Sequence, residues 1–161
     1  MDVLVIYDSF YGNTLRVAEL YQQVFADKGI SVEVKHVSKI EPEDVKNKKL
    51  LIFGSPTRAF RETPGIRKLL TKKAMPLTNR LVFVFDTRID PDDTNSAILK
   101  RFVKWFGYAC DHMEKQLKKR GAHLVSKGIG YHVMSAEGPL KQDVSMKVNQ
   151  HVAELINHLH S

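Results

Sequence analysis

A strand, a polar loop and the start of a helix can be recognised near the beginning of the chain, in Val3-Leu4-Val5-Ile6-Tyr7-Asp8-Ser9-Phe10-Tyr11-Gly12-Asn13-Thr14. Its initial apolar run is typical of a strand that is buried on both faces, as in the middle of a parallel sheet. Apolar residues at helical spacing follow the loop directly, and Gly29 provides a common helix end; these residues are Val17, Ala18, Tyr21, Val24 and Phe25. The region therefore predicts one strand–loop–helix unit of an α/β protein.

Further strand patterns occur along the rest of the chain. Residues 50–53 and 81–85 are continuous apolar runs, which are typical of inner strands. Residues 32–36 and 122–126 mix apolar and polar positions, as half-exposed edge strands do. A short extended piece is also expected at residues 131–134. These patterns predict three inner strands with an edge strand on either side.

Helical spacing of apolar residues predicts three more helices. The first is a short helix opened by Pro64, and the last runs from Val144 to Leu159. Between them, a long helix starts near Ile98, carries Phe102, Trp105 and Phe106, and ends at Gly121. Strands that alternate with helices predict an α/β fold in three layers. Its five-stranded parallel sheet has the order 2-1-3-4-5 and helices on both faces, and residues 1–161 are expected to form a single domain.

The composition of the 161-residue chain narrows the classes of protein. Hydrophobic residues make up 43% of it, and the formal net charge is +7. No apolar run approaches the roughly 20 residues that span a bilayer. The first residues lack the basic and apolar regions of a signal peptide, so a cytoplasmic protein is expected. The one cysteine, Cys110, lies in an apolar helical stretch and is expected to be buried.

The histidines and basic residues indicate neither a metal site nor a dedicated nucleic-acid site. His151, His158 and His160 have no accompanying acidic ligand pattern, so they are expected to face solvent and no metal site is predicted. The basic residues are spread along the chain without interleaved aromatics, which favours a solvated basic surface over specific nucleic-acid binding. Such a surface favours anionic partners, including acidic proteins and nucleotides.

The loop from Ser9 to Thr14 has the features of a phosphate-binding loop. In an open parallel sheet of the predicted order, ligands bind beyond the carboxyl ends of strands 1 and 3. The helix start offers unpaired N–H groups and a partial positive charge, and Gly12 allows an anion to approach the backbone. No lysine follows the glycine, as it would in a nucleotide-triphosphate loop, so neutral donors favour a monophosphate. The residues alone leave open that Ser9, Asn13 and Thr14 only cap the helix.

Four segments of the chain resemble the flavodoxin family. Ser9-Phe10-Tyr11-Gly12-Asn13-Thr14 is similar to the family's phosphate loop, Ser/Thr-x-Thr-Gly-Asn-Thr, with Tyr11 at the third position. The other segments are Gly54-Ser55-Pro56-Thr57, Phe85-Asp86-Thr87-Arg88 and Gly138-Pro139-Leu140, and all four occur in the family's order. The resemblance implies a flavodoxin-like fold and the cofactor flavin mononucleotide (FMN).

The resemblance also implies which residues bind the cofactor. Ser9, Phe10, Tyr11, Gly12, Asn13 and Thr14 would hold the phosphate, Pro56, Thr57, Arg58, Ala59 and Phe60 would border the isoalloxazine ring, and Asp86, Thr87 and Arg88 would border its pyrimidine side. Phe60 either stacks on the ring or anchors its loop. Arg58 either faces the N1–C2 carbonyl edge, where a cation stabilises the reduced flavin, or is an exposed or partner-contacting arginine. Asp86 and Arg88 either contact the ring or pair with each other.

Two departures from the family bear on the function. Residues 86–95 contain no aromatic side chain to cover the ring, and the chain is basic whereas flavodoxin carriers are usually acidic. The leading hypothesis is an FMN-binding protein, monomeric or homodimeric, that exchanges electrons with an acidic redox partner. The alternative is an NAD(P)H-dependent FMN oxidoreductase that acts on quinones or other small electron acceptors. The flavin does the chemistry in both, so no catalytic residue is predicted; a non-redox module on the same fold is a third hypothesis.

Overall fold

A parallel sheet forms the middle layer of the structure. The structure is a computed structural model that describes residues 2–93 and 96–160. Its strands are β1 (Val3–Tyr7), β2 (Val32–His36), β3 (Leu50–Pro56), β4 (Leu81–Ile89), β5 (His123–Leu124) and β6 (Ile129–Val133). They lie in the order β2-β1-β3-β4-β5, β6 also pairs with β4, and these pairings are parallel. The predicted order 2-1-3-4-5 is confirmed.

The inner strands are buried on both faces. Residues 3–6, 50–53 and 82–85 are at most 1% exposed, because helices cover both sides of the sheet. β2 lies at the edge, where Val32 is buried and the four residues after it are half-buried. This difference in burial explains why the inner strands are continuous apolar runs and why the edge strand has a mixed pattern.

The helices form two separate layers. α1 (Asn13–Asp27) and α6 (Val144–His160) pack on one face of the sheet, and α2 (Pro42–Lys46), α3 (Pro64–Thr71) and α5 (Ala109–Lys119) pack on the other. This confirms the three layers and the predicted first, Pro64 and last helices. The sequence pattern does not predict α2 or the 3₁₀ turns Val37–Lys39 and Pro91–Asp93, because they are too short to show a period. Over the described residues, no helix has the length and apolar character of a membrane span.

One predicted long helix is in fact two helices, so the prediction of a continuous helix up to Gly121 is wrong. α4 (Ala97–Phe106) ends before Tyr108, whose backbone is extended. The N–H of Tyr108 donates to the Asp111 carboxylate at 2.8 Å, and this side-chain acceptor favours a new helix start. The sequence predicts that Phe102, Trp105 and Phe106 of α4 face the core. Their side chains are not among those that the structure describes.

Two segments share the fifth position of the sheet. β5 pairs with Leu81 and Val82 at the start of β4, and β6 pairs with residues 85–89 at its end. The sheet therefore has six strands where the sequence predicts five, although the positions keep the predicted order. Between the two segments, the Gly128 N–H donates to Glu114 of α5 at 2.5 Å, and this contact holds the interruption against the helical layer.

A buried polar cluster lies between the sheet and the helices α1 and α6. The Tyr21 hydroxyl is 2.6 Å from the Tyr131 hydroxyl and 3.0 Å from Nδ1 of His151, whose Nε2 is 3.3 Å from the Ser126 hydroxyl. His151 is 3% exposed, so the prediction that it faces solvent is wrong. Polar partners on both ring nitrogens allow the histidine to occupy the core. Burial lowers the pKa of His151 to about 4, so the ring is neutral at neutral pH.

The neutral His151 should make stability depend on pH. In the unfolded chain this histidine takes up a proton around its ordinary pKa of 6.5, whereas the folded chain does so only near 4. Because the unfolded state then binds more protons, stability falls as the pH is lowered through this window. We expect the free energy of unfolding, measured by urea denaturation, to lose about 2 kcal/mol from this group between pH 7 and about pH 4.5.

The contribution of His151 can be separated from that of the other histidines by substitution. His151→Gln should lower the overall stability but flatten its dependence on pH, because the titrating group is gone. His160→Gln changes an exposed histidine in the last turn of the same helix and should keep the parent slope. Equal slopes for His151→Gln and the parent would contradict this account.

Candidate functional site

An open cleft lies beyond the carboxyl ends of β1, β3 and β4, where the strand order predicts a ligand. The cleft is shallow and open to solvent, with a cavity volume of about 80 Å³. The predicted residues that line it are Ser9, Phe10, Tyr11, Asn13, Thr14, Pro56, Thr57, Arg58, Thr87 and Arg88. The predicted residues that lie behind or beside the lining are Gly12, Ala59, Phe60 and Asp86. Three further lining residues that the sequence does not single out are Ile89, Val133 and Ala136.

The loop after β1 leads into a helix start without a side-chain cap. Gly12 precedes α1 with φ 90°, in the left-handed region that favours glycine. The Ser9 hydroxyl accepts the Gly12 N–H at 3.0 Å, so it folds the loop and does not cap the helix. The hydrogen bonds therefore contradict the alternative in which Ser9, Asn13 and Thr14 serve as caps. The first N–H groups of α1 remain available to an anion.

Thr87 connects the three loops of the cleft. Its hydroxyl lies 2.9 Å from that of Thr14, and both side chains are buried. Its carbonyl accepts the N–H of Thr57 at 2.9 Å. The Thr57 hydroxyl in turn accepts the N–H of Ala109 at 3.1 Å, which joins the loop after β3 to the start of α5. The walls of the cleft are thus linked to each other through one residue.

Asp8 is a second connecting residue, and the sequence analysis does not assign it a role. One carboxylate oxygen accepts the Ser9 N–H at 2.9 Å, and the other accepts the Thr63 hydroxyl at 2.7 Å. Thr63 caps α3 by accepting the Ile66 N–H at 3.3 Å. Asp8 therefore fixes the loop after β1 to the start of α3. The signal for this role is a carboxylate placed directly after a buried strand, ahead of the loop.

A tight hairpin forms the loop after β3. Arg58 and Arg61 exchange backbone hydrogen bonds of 2.9 and 3.1 Å, as in an antiparallel pair. Ala59 and Phe60 between them both have positive φ, 47° and 66°, which is the pattern of a type I′ turn. Phe60 is half-buried and does not line the cleft. The position of Phe60 agrees with an anchoring role in the loop more closely than with stacking on a ligand in the cleft.

Arg58 contacts the two exposed aromatic residues of the first loop. Its guanidinium carbon lies 5.0 Å from the ring centre of Phe10 and 5.6 Å from that of Tyr11, which are cation–π contacts. Phe10 and Tyr11 are 56% and 53% exposed. Among the described residues, no carboxylate forms an ion pair with Arg58. Its positive charge at the cleft wall is therefore not neutralised by any carboxylate of the described residues.

Asp86 and Arg88 pair with each other beneath the third loop. Nε and Nη2 of Arg88 each donate to Asp86 at 2.6 Å, and Asp86 also accepts the Cys110 N–H at 3.0 Å. Of the two alternatives for these residues, the structure has the pair. Arg88 crosses Gly130, where a Cβ would overlap the guanidinium, and lies 3.5 Å from the ring centre of Tyr108. Tyr108 is a neighbour of the site that the sequence misses, because it lies far along the chain.

Burial and the Asp86–Arg88 pair together shift the pKa values of two groups, the Arg88 guanidinium and the Cys110 thiol. Burial acts to lower the pKa of Arg88, but the hydrogen bonds and charge of Asp86 outweigh it, so this pKa lies above its ordinary value. Burial and the nearby Asp86 carboxylate raise the pKa of the Cys110 thiol well above its usual range. Cys110 is 3% exposed, which confirms the prediction that it is buried. Within residues 2–93 and 96–160, no cluster of histidine, cysteine and acidic residues is placed to hold a metal ion.

Loss of one member of this pair should be costly to the fold. Asp86→Asn leaves the Arg88 guanidinium, 16% exposed, without a carboxylate, and we expect a loss of about 3 kcal/mol in the free energy of unfolding. Asp92→Asn is the matched control, because this carboxylate is 92% exposed, and should change stability by less than about 0.5 kcal/mol. Adding Arg88→Met to Asp86→Asn should restore part of the loss. Urea denaturation measures all of these, and equal stability of Asp86→Asn and Asp92→Asn would refute a structural role for the pair.

The fold places this cleft at the switch point of a doubly wound sheet, where α/β proteins bind ligands. A family model described as the flavodoxin domain matches residues 4–131, which include all the strands except the first residue of β1 and the end of β6. The chain belongs to this family. Comparison with curated protein sequences found no match. Membership of the family supports flavin binding and electron transfer as the general role.

Several solved structures share the fold over the whole chain. A flavodoxin from the domain Archaea is 14% identical with a TM-score of 0.76, and the match covers 100% of both chains. Flavodoxin 1 from Bacillus cereus is 20% identical with a TM-score of 0.74, and the match covers 98% of this chain and 99% of that one. A flavodiiron core from Synechocystis is 21% identical with a TM-score of 0.70, over 99% of this chain and 36% of that one. At these identities the likeness concerns the fold alone.

Proposed function

We propose that the chain, as one domain of residues 1–161, binds FMN in this cleft and exchanges electrons with a redox partner. The observation that carries the proposal is the uncapped start of α1 beside Gly12, located between β1 and β3 in a flavodoxin-family sheet. FMN, when bound, supplies the ring that accepts and releases electrons. The residues of the chain bind it, orient it and adjust its affinity for electrons.

The phosphate end of the cleft suits a monophosphate held by neutral groups. The hydroxyls of Ser9 and Thr14, the Asn13 amide and the first N–H groups of α1 form the donor set. Gly12 leaves open space, because nothing lies within 4 Å of the position that a Cβ would take. Since this loop has no basic side chain, binding depends on backbone geometry and the helix dipole.

The ring end of the cleft combines an apolar wall with one uncompensated charge. Pro56 and Ile89 are apolar residues of its lining. Thr57 follows Pro56 in the chain, and Thr87 lies opposite Pro56 on the neighbouring strand. The charge of Arg88 is neutralised by Asp86, whereas Arg58 has no such partner among the described residues. A nearby positive charge favours the form of the flavin that has gained electrons, so Arg58 is the residue that we expect to raise the reduction potential.

Binding of FMN should depend on the conformation of Gly12. Titration of FMN with the purified protein should quench the flavin fluorescence at micromolar protein concentration, and Gly12→Ala should weaken binding at least about tenfold, since an L side chain is strained at φ 90°. Gly29→Ala is the matched control. Gly29 also has a positive φ, 75°, and open space at its Cβ position, but it lies at the other end of α1.

The two glycine variants separate a local effect from a loss of stability. Both should lower the free energy of unfolding by about 1 kcal/mol, because both introduce a left-handed alanine. Only Gly12→Ala should raise the Kd for FMN. Absence of quenching with the parent protein would overturn the proposal, and an equal rise in Kd for both variants would overturn the role of the loop.

The open ring end favours one alternative function, an NAD(P)H-dependent FMN oxidoreductase that acts on quinones or other small acceptors. The third loop presents Ile89, which is 39% exposed, where an aromatic side chain would cover a ring. Such a ring would be accessible to a hydride donor. Stopped-flow mixing of the FMN-loaded protein with NADPH is expected to bleach the flavin absorbance within seconds for an oxidoreductase, and to leave it unchanged for a carrier.

A further inference from the structure

The excess positive charge of the chain is confined to two segments. Residues 57–73 contain six basic residues and one acidic residue, and residues 109–121 contain four basic residues and two acidic ones. These segments therefore account for the whole formal charge of +7, because the rest of the chain contains equal numbers of basic and acidic residues. They form the hairpin after β3, α3 and α5. The basic residues are spread along the chain, as the sequence analysis states, but outside these two segments acidic residues balance them.

The two basic segments face each other across a groove between α3 and α5, here called the α3–α5 groove. Arg61, Glu62, Arg67 and Thr71 line one side, and His112, Lys115, Gln116 and Lys119 line the other. The helices α3 and α5 are in contact below it. The groove is therefore a continuous surface built from both basic segments.

The cations on the two sides of the groove are held in different ways. Arg61 and Arg67 donate to the buried Glu62 carboxylate at 3.2 and 3.1 Å, which fixes their positions. Lys115 and Lys119 are exposed and lie one helical turn apart on α5. Among the described residues, neither lysine has a carboxylate within ion-pair distance. Two fixed guanidinium groups thus face two lysines whose charges are available to a partner.

The groove adjoins the cleft through the hairpin after β3. Arg61 lines the groove, and Arg58, at the other end of the hairpin, lines the cleft. The two residues exchange backbone hydrogen bonds, so the hairpin is a short bridge between the two surfaces. A macromolecule that occupies the groove would therefore lie next to the mouth of the cleft.

We propose that the α3–α5 groove is the docking surface for a protein partner with a carboxylate-rich segment. This proposal rests on the proposed function and adds the place where the redox partner binds. Facing rows of cations complement aspartate and glutamate side chains and steer their approach. Among the described residues, the lining contains no phenylalanine, tyrosine or tryptophan on which bases could stack, and this disfavours single-stranded nucleic acid. An acidic protein is therefore the occupant that the groove favours.

The test uses two double variants with the same change in net charge. Lys115→Glu/Lys119→Glu reverses the free charges of the groove, and Lys28→Glu/Lys127→Glu reverses two exposed lysines outside the two segments. The probe is a fluorophore-labelled oligoglutamate peptide, and its Kd is measured by anisotropy at about 20 mM ionic strength, where the screening length is about 20 Å. We expect the groove variant to weaken binding at least about tenfold and the control variant to weaken it less than about threefold.

Three results of the peptide experiment would overturn the proposal. The first is equal weakening by the two variants, which would assign the binding to net charge alone. The second is that an oligothymidylate of equal length binds more tightly than the peptide at physiological salt and is lost in the groove variant, which would make the groove a nucleic-acid surface. The third is no binding of the peptide to the parent protein.

The same variants distinguish this proposal from the proposed function. The Kd of the peptide is measured for the protein before and after loading with FMN. A failure of the protein to bind FMN therefore does not prevent the test of the groove. Both double variants should bind FMN with the parent Kd, because none of the four lysines lines the cleft. A loss of FMN binding in the groove variant alone would show that the groove and the cleft are not separate sites, and would overturn the docking proposal.

Discussion

The cleft depends on a buried pair of hydroxyl groups, those of Thr14 and Thr87. A hydroxyl that is removed from water without a partner is costly, so each of these side chains stabilises the other in place. The pair joins the first turn of α1 to the last residues of β4. The Thr87 carbonyl accepts a hydrogen bond from the loop after β3 and so links this loop to the other two. These contacts hold together loops that would otherwise move separately at the edge of the sheet. Loops that are held together in this way lose little conformational entropy when a ligand binds.

Much of this arrangement can be predicted from the sequence because it follows from local patterns. The three apolar runs identify inner strands, since only a strand covered on both faces is apolar at every position. Gly12 between a strand and a helix indicates where the chain turns into the helix, because a left-handed residue is needed there. The order of the strands then brings the loops together. For these features, short segments of sequence contain all the necessary physical information.

The remaining features depend on specific hydrogen-bond partners, which the periodic pattern of apolar residues does not identify. His151 resembles a surface histidine until its partners are known, and Tyr21 lies 130 positions away from it. The division between α4 and α5 falls at Gly107, whose φ is 72°, and at Tyr108, whose N–H donates to Asp111, within an otherwise helical pattern of apolar residues. The role of Arg88 depends on Asp86, two positions earlier on the same side of one strand, and on Gly130 of the neighbouring strand. The alternatives for these residues are decided by the partners that the fold brings next to them.

The interrupted fifth position of the sheet has a further consequence for how copies of the chain meet. A continuous outer strand presents an unbroken row of backbone donors and acceptors, on which another molecule can add a strand. Here that side of the sheet consists of two short pieces, β5 and β6, with the chain between them held away by Glu114. At the opposite side, β2 carries the charged residues Glu33 and Lys35. Both margins are therefore poor templates for growth of the sheet, which protects a crowded solution of this protein against β-aggregation.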